Sequence, residues 1–250
     1  MLSFYFQPDL CAGSFRASAL VEQLNRTDLE IEVVTTAPNR YSSFEQKAES
    51  YEVIDGIHIH RITLPTHNSG MYDQILAFFS YYRHAMKITK NSDYEAVFAT
   101  SSRLFTAFLG ARIASKKGIS LYLDIRDIFV DTMSDILPSF ISFFATPVLN
   151  LIENYAFGKA KHINLVSKGF LKYFKEKKLG CSFSFYTNGI DKEFYGVVDI
   201  RKRQIPKNKT LNILYAGNIG EGQGLHKILP TLAGRLGKRA NFVVIGDGGL

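Results

Sequence analysis

The chain has no tryptophan and only two cysteines, Cys11 and Cys181, among its 250 residues. A pair so far apart supplies neither a disulfide framework nor a zinc-ligand spacing, and it suits a reducing, cytoplasmic setting. The six histidines, His58, His60 and His162 among them, do not cluster with cysteine or carboxylate at ligand spacing, so no metal site is nominated. No Asp-x-Asp and no Gly-x-Ser-x-Gly occurs, which removes a common diphosphate-metal pair and the nucleophile elbow. Long apolar runs are missing too. The longest, Ile136 to Ile152, contains Pro138 and Pro147 with serine, threonine and asparagine, whereas a spanning helix needs about 20 mostly apolar residues. Met1 leads straight into the short segment Leu2–Phe6, too brief for the apolar part of a signal peptide, so no secretory leader is expected.

What is present argues for a packed core. Hydrophobic residues make up 46% and charged residues 21%, which excludes a disordered chain. The net charge of +7 favours acidic partners such as phosphates, anionic lipid or nucleic acid. Positive charge is spread over Lys159–Lys178 and concentrated from Arg201-Lys202-Arg203 to Lys209, and a solvated surface with a basic linker accounts for it as well as an acidic partner does. No nucleic-acid recognition module appears, and nucleic acid is not expected as a partner.

Apolar runs alternate with amphipathic segments, the pattern of a parallel α/β sheet. Strands are expected at Leu2–Phe6, Glu30–Thr35, Ala96–Thr100, Ser120–Asp124, His162–Val166 and Phe183–Tyr186, with a hairpin turning on Asp55-Gly56. His58 and His60 alternate on that hairpin and are expected on one exposed face. Helices are expected from Ser14, as N-cap, to Asn25; from Tyr72 to Lys90 with Ile75, Phe79, Tyr82 and Met86 as core face; through Leu104–Ile113; from Pro147 to Phe157; and from Ser167 to Lys177. Residues 1–190 read as one domain, 191–210 as a polar, basic linker, and 211–250 as the start of a second. There, the strand Leu211–Tyr215 leads through glycines to a helix at Leu225–Leu236 and a strand at Phe242–Ile245.

Three strand-to-helix turns carry chemistry. In the run Gly217-Asn218-Ile219-Gly220-Glu221-Gly222-Gln223-Gly224, glycine lets backbone approach a ligand closely, and the following helix offers free N–H groups to a phosphate. The spacing matches neither the dinucleotide fingerprint nor the P-loop, and a flexible turn would use the same residues. In the first turn, Gly13 can bring backbone to a ligand and Arg16 brings a fixed charge, although both also fit a plain turn beside a surface arginine. The third, Asp124-Ile125-Arg126-Asp127-Ile128-Phe129-Val130-Asp131, gathers charge at the carboxyl end of a strand, where open α/β sheets bind ligands. There Asp127 or Asp131 can act as a general base or orient a hydroxyl, or merely cap a helix and pair with arginine.

These pieces, in order, resemble a known family. Tyr5-Phe6-Gln7-Pro8-Asp9 with Gly13, Asp124-Ile125-Arg126-Asp127, Val166-Ser167, Thr187-Asn188-Gly189-Ile190-Asp191 with Phe194, Tyr215-Ala216-Gly217-Asn218-Ile219-Gly220 and Val244-Ile245-Gly246-Asp247-Gly248 are similar to the motifs of retaining GT-B glycosyltransferases of family 4. The nearest flavour is the group that transfers N-acetylfucosamine-type sugars in O-antigen and lipopolysaccharide synthesis. The resemblance implies two Rossmann-like domains, an acceptor-side one and a nucleotide-sugar one, and metal-independent, cofactor-free transfer from a donor that is often UDP-linked. It implies catalytic roles for Arg126 and Asp127, and donor or phosphate contacts from Gly13, Arg16, Gly217, Asn218, Gly220, Gln223, Gly246 and Asp247. Where many relatives place an arginine and a lysine in the second glycine loop, this chain has Asn218 and Gln223, which donate hydrogen bonds but carry no charge.

The family's paired glutamates and later strands would lie past Leu250, so the 250-residue form is expected to be a truncated donor domain with little or no turnover. An epimerase on the same scaffold and a noncatalytic binding subunit are the competing readings. A lipid-linked saccharide acceptor would call for peripheral contact with the inner face of the cell membrane. The segments Phe78–His84, with Lys87 and Lys90, and Ile136–Phe144 are candidates for that contact.

Overall fold

The computed structural model describes residues 1–39, 47–65, 71–101, 104–136, 138–190, 210–220 and 223–246. The chain divides into two compact units, Met1–Gly189 and Ile190–Leu250. Residues 191–209 of the expected linker, Asp191 and Phe194 among them, lie outside the described residues, as do Asp247 and Gly248.

In the first unit, strands β1 (Glu32–Thr36), β2 (Tyr51–Ile54) and β3 (Ile57–Ile62) form one group in the order β1-β3-β2. Strands β4 (Ala96–Ser101), β5 (Ser120–Ile125), β6 (His162–Leu165) and β7 (Ser182–Phe185) form a second group in chain order. The amino-terminal segment joins the two, because Leu2 bridges in parallel to both Val34 and Ala99. The Leu2 N–H donates to the Phe98 carbonyl at 2.8 Å, and Val34 N–H donates to the Met1 carbonyl at 2.9 Å. The expected strand Leu2–Phe6 is therefore a central contact confined to its first residues. After Ser3 the chain turns away, and the Ser3 hydroxyl and Thr36 hydroxyl cap the carbonyls of Tyr5 and Phe4, each at 2.6 Å.

Every pairing is parallel except β2 with β3, where Ile54 faces Ile57 across a two-residue turn. That turn puts Asp55 at φ 51° and Gly56 at φ 80°, the left-handed pair a tight hairpin demands. His58 is exposed, as expected, but His60 is half-buried against Glu32 at 2.8 Å.

Helix α1 (Ala12–Leu24) covers one sheet face over Phe6, Val33, Ile57 and Ile59. Its N-cap is Cys11 rather than Ser14, which lies inside the helix and is buried there with Ala17 and Val21. On the other face lie α2 (Met71–Ile88), α3 (Leu104–Lys117), α4 (Phe129–Ile136), α5 (Ser139–Gly158) and the short α6 (Leu171–Glu176). The expected core stripe of α2 is rotated. Ala77, Tyr81 and Ala85 are buried, Tyr82 and Met86 are half-buried, and Ile75 and Phe79 are exposed. Small alanines bring this helix close to the sheet, and the Tyr81 hydroxyl anchors it by donating to the Val34 carbonyl at 2.8 Å. Helix α5 starts eight residues before the expected Pro147, which lies inside it. A proline removes one helical donor but does not end a helix whose flanking residues propagate it.

The second unit is a smaller βαβ arrangement in which β8 (Leu211–Ala216) pairs in parallel with β9 (Ala240–Ile245) and α7 (Leu225–Leu236) connects them. The chain is thus α/β, with a Rossmann-like parallel sheet in the first unit and the opening of a second such sheet in the other. Among the described residues, no helix is long and apolar enough to cross a membrane.

Candidate functional site

The amino-terminal segment and β4 are neighbours from which the chain departs in opposite directions, through α1 towards β1 and through α3 towards β5. Such a divergence opens a crevice at the carboxyl ends of the strands. The loop entering it is tied down at two points. Arg61, 4% exposed on β3, donates from Nη2 to the Gln7 carbonyl at 2.8 Å and pairs with Glu52. Buried Asp9 accepts from the Asn39 N–H at 3.4 Å, and the Asn39 side chain donates to the Thr36 hydroxyl at 2.6 Å. Gly13 then falls in the first turn of α1, beside the Tyr5 ring, and no side chain caps that helix start.

One turn further, Arg16 lines a cavity of about 290 Å³ with Asp124, Arg126, Tyr122, Asn164 and Tyr186. Burial and then the neighbouring Arg126 charge push the Arg16 guanidinium below its usual range, while Asp124 and Asp127 oppose that shift. Partial burial raises the Asp127 carboxyl, and the Arg16 charge counteracts it. The sequence-derived residues Arg16, Arg126 and Asp127 therefore share one electrostatic neighbourhood. Asp131 sits in the first turn of α4, where its charge acts on Tyr173, so Asp127 is the aspartate of the pair directed at Arg16.

The pairing partner of Arg126 is Asp124, whose Oδ2 accepts from Nε at 2.7 Å. Arg126 also donates from Nη1 to the Tyr186 carbonyl and to Asn188 Oδ1, each at 3.2 Å. Asn164 donates to Asp124 Oδ1 at 2.6 Å and accepts from the Tyr186 N–H at 2.9 Å and the Ser184 hydroxyl at 3.0 Å. Sequence reasoning passed over Asn164. Its signal was a polar residue between Ile163 and Leu165 on an otherwise apolar strand, a position where burial without partners is costly.

In the second unit, Gly217 and Gly246 end adjacent strands, joined by the Gly217 N–H donating to the Ile245 carbonyl at 2.9 Å. A Cβ on Gly246 would lie 1.8 Å from the Gly217 oxygen, so only glycine fits there. The loop beyond closes on itself. Gln223 Oε1 accepts from the Gly220 N–H and from Asn218 Nδ2, each at 3.1 Å, and the Tyr215 hydroxyl donates to the Asn218 carbonyl at 2.7 Å. An incoming phosphate oxygen is the same kind of acceptor as Gln223 Oε1 and can take over both donors. Gly224, left-handed at φ 61°, starts α7 with no side-chain cap. Among the described residues, no group of three or more His, Cys, Asp or Glu is arranged to hold a metal ion.

No protein-family model matches the chain, and no curated protein sequence matches it. Solved structures do. Sucrose-phosphate synthase from Thermosynechococcus elongatus aligns with a TM-score of 0.61 at 11% identity over 93% of this chain. Anabaena HepE, in complex with UDP-glucose, aligns with a TM-score of 0.50 at 13% identity over 98% of it. The chain spans 65% of the first of these structures and 68% of the second. At such low identity the likeness establishes the fold, that of GT-B glycosyltransferases.

Proposed function

We propose that the chain belongs to a glycosyltransferase that moves a sugar from a nucleotide-sugar, UDP-linked in the simplest case, to a lipid-linked or polysaccharide acceptor in surface-glycan synthesis. The observation that carries this reading is the convergence of Arg16, Arg126 and Asp127 at the crevice of a sheet whose fold is shared with sugar-nucleotide enzymes. Departure of a nucleoside diphosphate leaves negative charge on the phosphates, and catalysis then depends on preorganised donors aimed at that charge. The first helix start at Gly13 and the guanidinium groups of Arg16 and Arg126 suit that task. Arg126 is held in place for it, because Asp124 fixes Nε while the Tyr186 carbonyl and Asn188 hold Nη1, so the planar fork is set before a ligand arrives.

Asp127 is assigned to the acceptor hydroxyl, where a raised carboxyl is a better proton acceptor than an ordinary one. Gly217, Asn218, Gly220, Gln223, Gly246 and Asp247 are assigned to the nucleotide-sugar. The reading takes the transfer as retaining and metal-independent, in keeping with a sequence that lacks Asp-x-Asp. Saturation-transfer NMR with UDP, UDP-glucose and UDP-N-acetylhexosamines tests it. Binding that weakens about tenfold in Arg126→Lys supports the assignment, since lysine keeps the charge but loses the fork. Absence of saturation transfer to every UDP-sugar would overturn it.

A further inference from the structure

The helix layer formed by α2, α3 and α5 has an outer surface graded along one direction. Each of these helices leads from the carboxyl end of one parallel strand to the start of the next, so all three run the same way. Ring contacts set them side by side: Phe78 lies 4.9 Å from Phe105, Tyr82 stacks 6.3 Å from Phe108, and Phe108 lies 5.5 Å from Tyr155.

The first half of α5 is apolar and bare. Phe140, Phe143, Phe144, Val148 and Leu151 recur at helical spacing and are 55–76% exposed. No charged residue occurs from Ile136 to Ile152, and the buried residues of α5 are Glu153, Ala156 and Phe157, all near its end. Phe144 precedes Tyr155 by eleven residues, about 16 Å of helix, so the phenylalanine cluster overhangs the carboxyl edge of the sheet. On α2, exposed Ile75, Leu76 and Phe79 continue the apolar zone. Tyr82 and Tyr155 follow, with Arg112 beside both. Beyond them come cations: Arg83 lies 5.9 Å from the Phe79 ring centre, and Lys159 lies 6.0 Å from that of Tyr155.

We propose that this face docks on an anionic lipid bilayer, with the phenylalanines of α5 among the acyl chains and Arg83, Arg112 and Lys159 at the phosphates. Apolar residues, then amphipathic tyrosines, then cations is the order of polarity met on passing out through a bilayer interface. Phe79 and Arg83 are one turn apart, about 6 Å along the helix, which matches the depth at which interfacial helices sit. A second copy of this chain suits the face less well. A twofold interface sets the same patch against itself, and Arg83, Arg112 and Lys159 would then meet either one another or the apolar end of the patch, with no anion supplied in either case. The proposal rests on exposure and charge, and it stands whether or not the protein transfers sugar.

Flotation with vesicles of phosphatidylcholine, with and without phosphatidylglycerol, tests the proposal. The protein should float with the anionic vesicles and release as salt is raised. Phe140→Ser with Phe143→Ser and Phe144→Ser should weaken partitioning by about a hundredfold or more. Arg83→Gln and Lys159→Gln should each weaken it by about fivefold on anionic vesicles alone. Because the chain has no tryptophan, Phe143→Trp provides a single indole emission that should shift to the blue on anionic vesicles, a readout that does not depend on the triple variant folding. Failure of the wild type to float, an indole emission from the Phe143→Trp variant that vesicles leave unshifted, or a lipid-free dimer that the triple serine variant converts to monomer would each overturn it.

Discussion

Asn164 donates to Asp124 Oδ1 at 2.6 Å across β6 and β5, and the opposite oxygen of the same carboxylate receives Arg126 Nε at 2.7 Å. The two residues are 8% and 5% exposed, so the pair is a buried support beneath an arginine that reaches outward. Replacing Asn164 by leucine keeps its bulk but strands Asp124 Oδ1 and the Tyr186 N–H. Urea unfolding should show a loss of about 2–3 kcal/mol. Asn164→Asp instead sets two carboxylates together, so its defect should be largest at neutral pH and shrink on mild acidification, when one of them protonates. An Asn164→Asp defect that is flat with pH would refute the pairing.

Asp127 gives a pH signature of opposite sense to an ordinary paired carboxylate. Its folded carboxyl is raised above the unfolded value, so its protonated form is favoured by folding. The stabilising contribution is present below the unfolded value and is lost as pH rises through the folded one. Asp127→Asn should therefore unfold at a slightly higher temperature than wild type at neutral pH, and the gap should close in acid. The carboxyl is only partly withdrawn from water, since much of the residue's surface still meets solvent, and this keeps the effect small. A melting-temperature difference that grows in acid would contradict the assignment.

Tyr81 is wholly buried, and burial pushes its phenol well above the usual range. Its hydroxyl donates to the Val34 carbonyl at 2.8 Å and so locks α2 to the middle of the sheet. Tyr81→Phe should lower stability by about 1 kcal/mol, through the denaturation midpoint and with the slope unchanged. An unaltered midpoint would mean that this bond contributes nothing net.

Gly246→Ala probes the second unit alone. The added methyl would fall 1.8 Å from the Gly217 oxygen, which no rotamer relieves, so the turn after β8 must shift at a cost of roughly 3 kcal/mol or more. Hydrogen exchange should quicken in the β8 and β9 amides and remain as in wild type in β4 to β6. Unchanged protection of β8 would show that the two strand ends are not in contact.

Several features were legible from residue order alone. The alternation of short apolar runs with amphipathic helices, the Asp55-Gly56 turn and the glycine loop at Gly217 each depend on neighbours in sequence, where backbone sterics and periodicity act. For the same reason the strands β4, β5, β6 and β8 lie within a residue or two of where the pattern puts them. Helix α2 shows where such reading stops. Its aromatic residues offer more than one apolar stripe, and the stripe that faces the sheet was chosen by Ala77 and Ala85 fitting closely and by Tyr81 finding a carbonyl on β1.

By itself the sequence determined the α/β class, the glycine turns and the charged run at Asp124–Asp131, because these follow from local propensity and spacing. Only the tertiary structure decided that Arg16 stands among Asp124, Arg126 and Asp127, that Asn164 braces them from another strand, and that the phenylalanines of α5 face outward. Those outcomes depend on which strands become neighbours and which helix face meets the sheet, and such contacts between distant residues leave no period in the chain to be read.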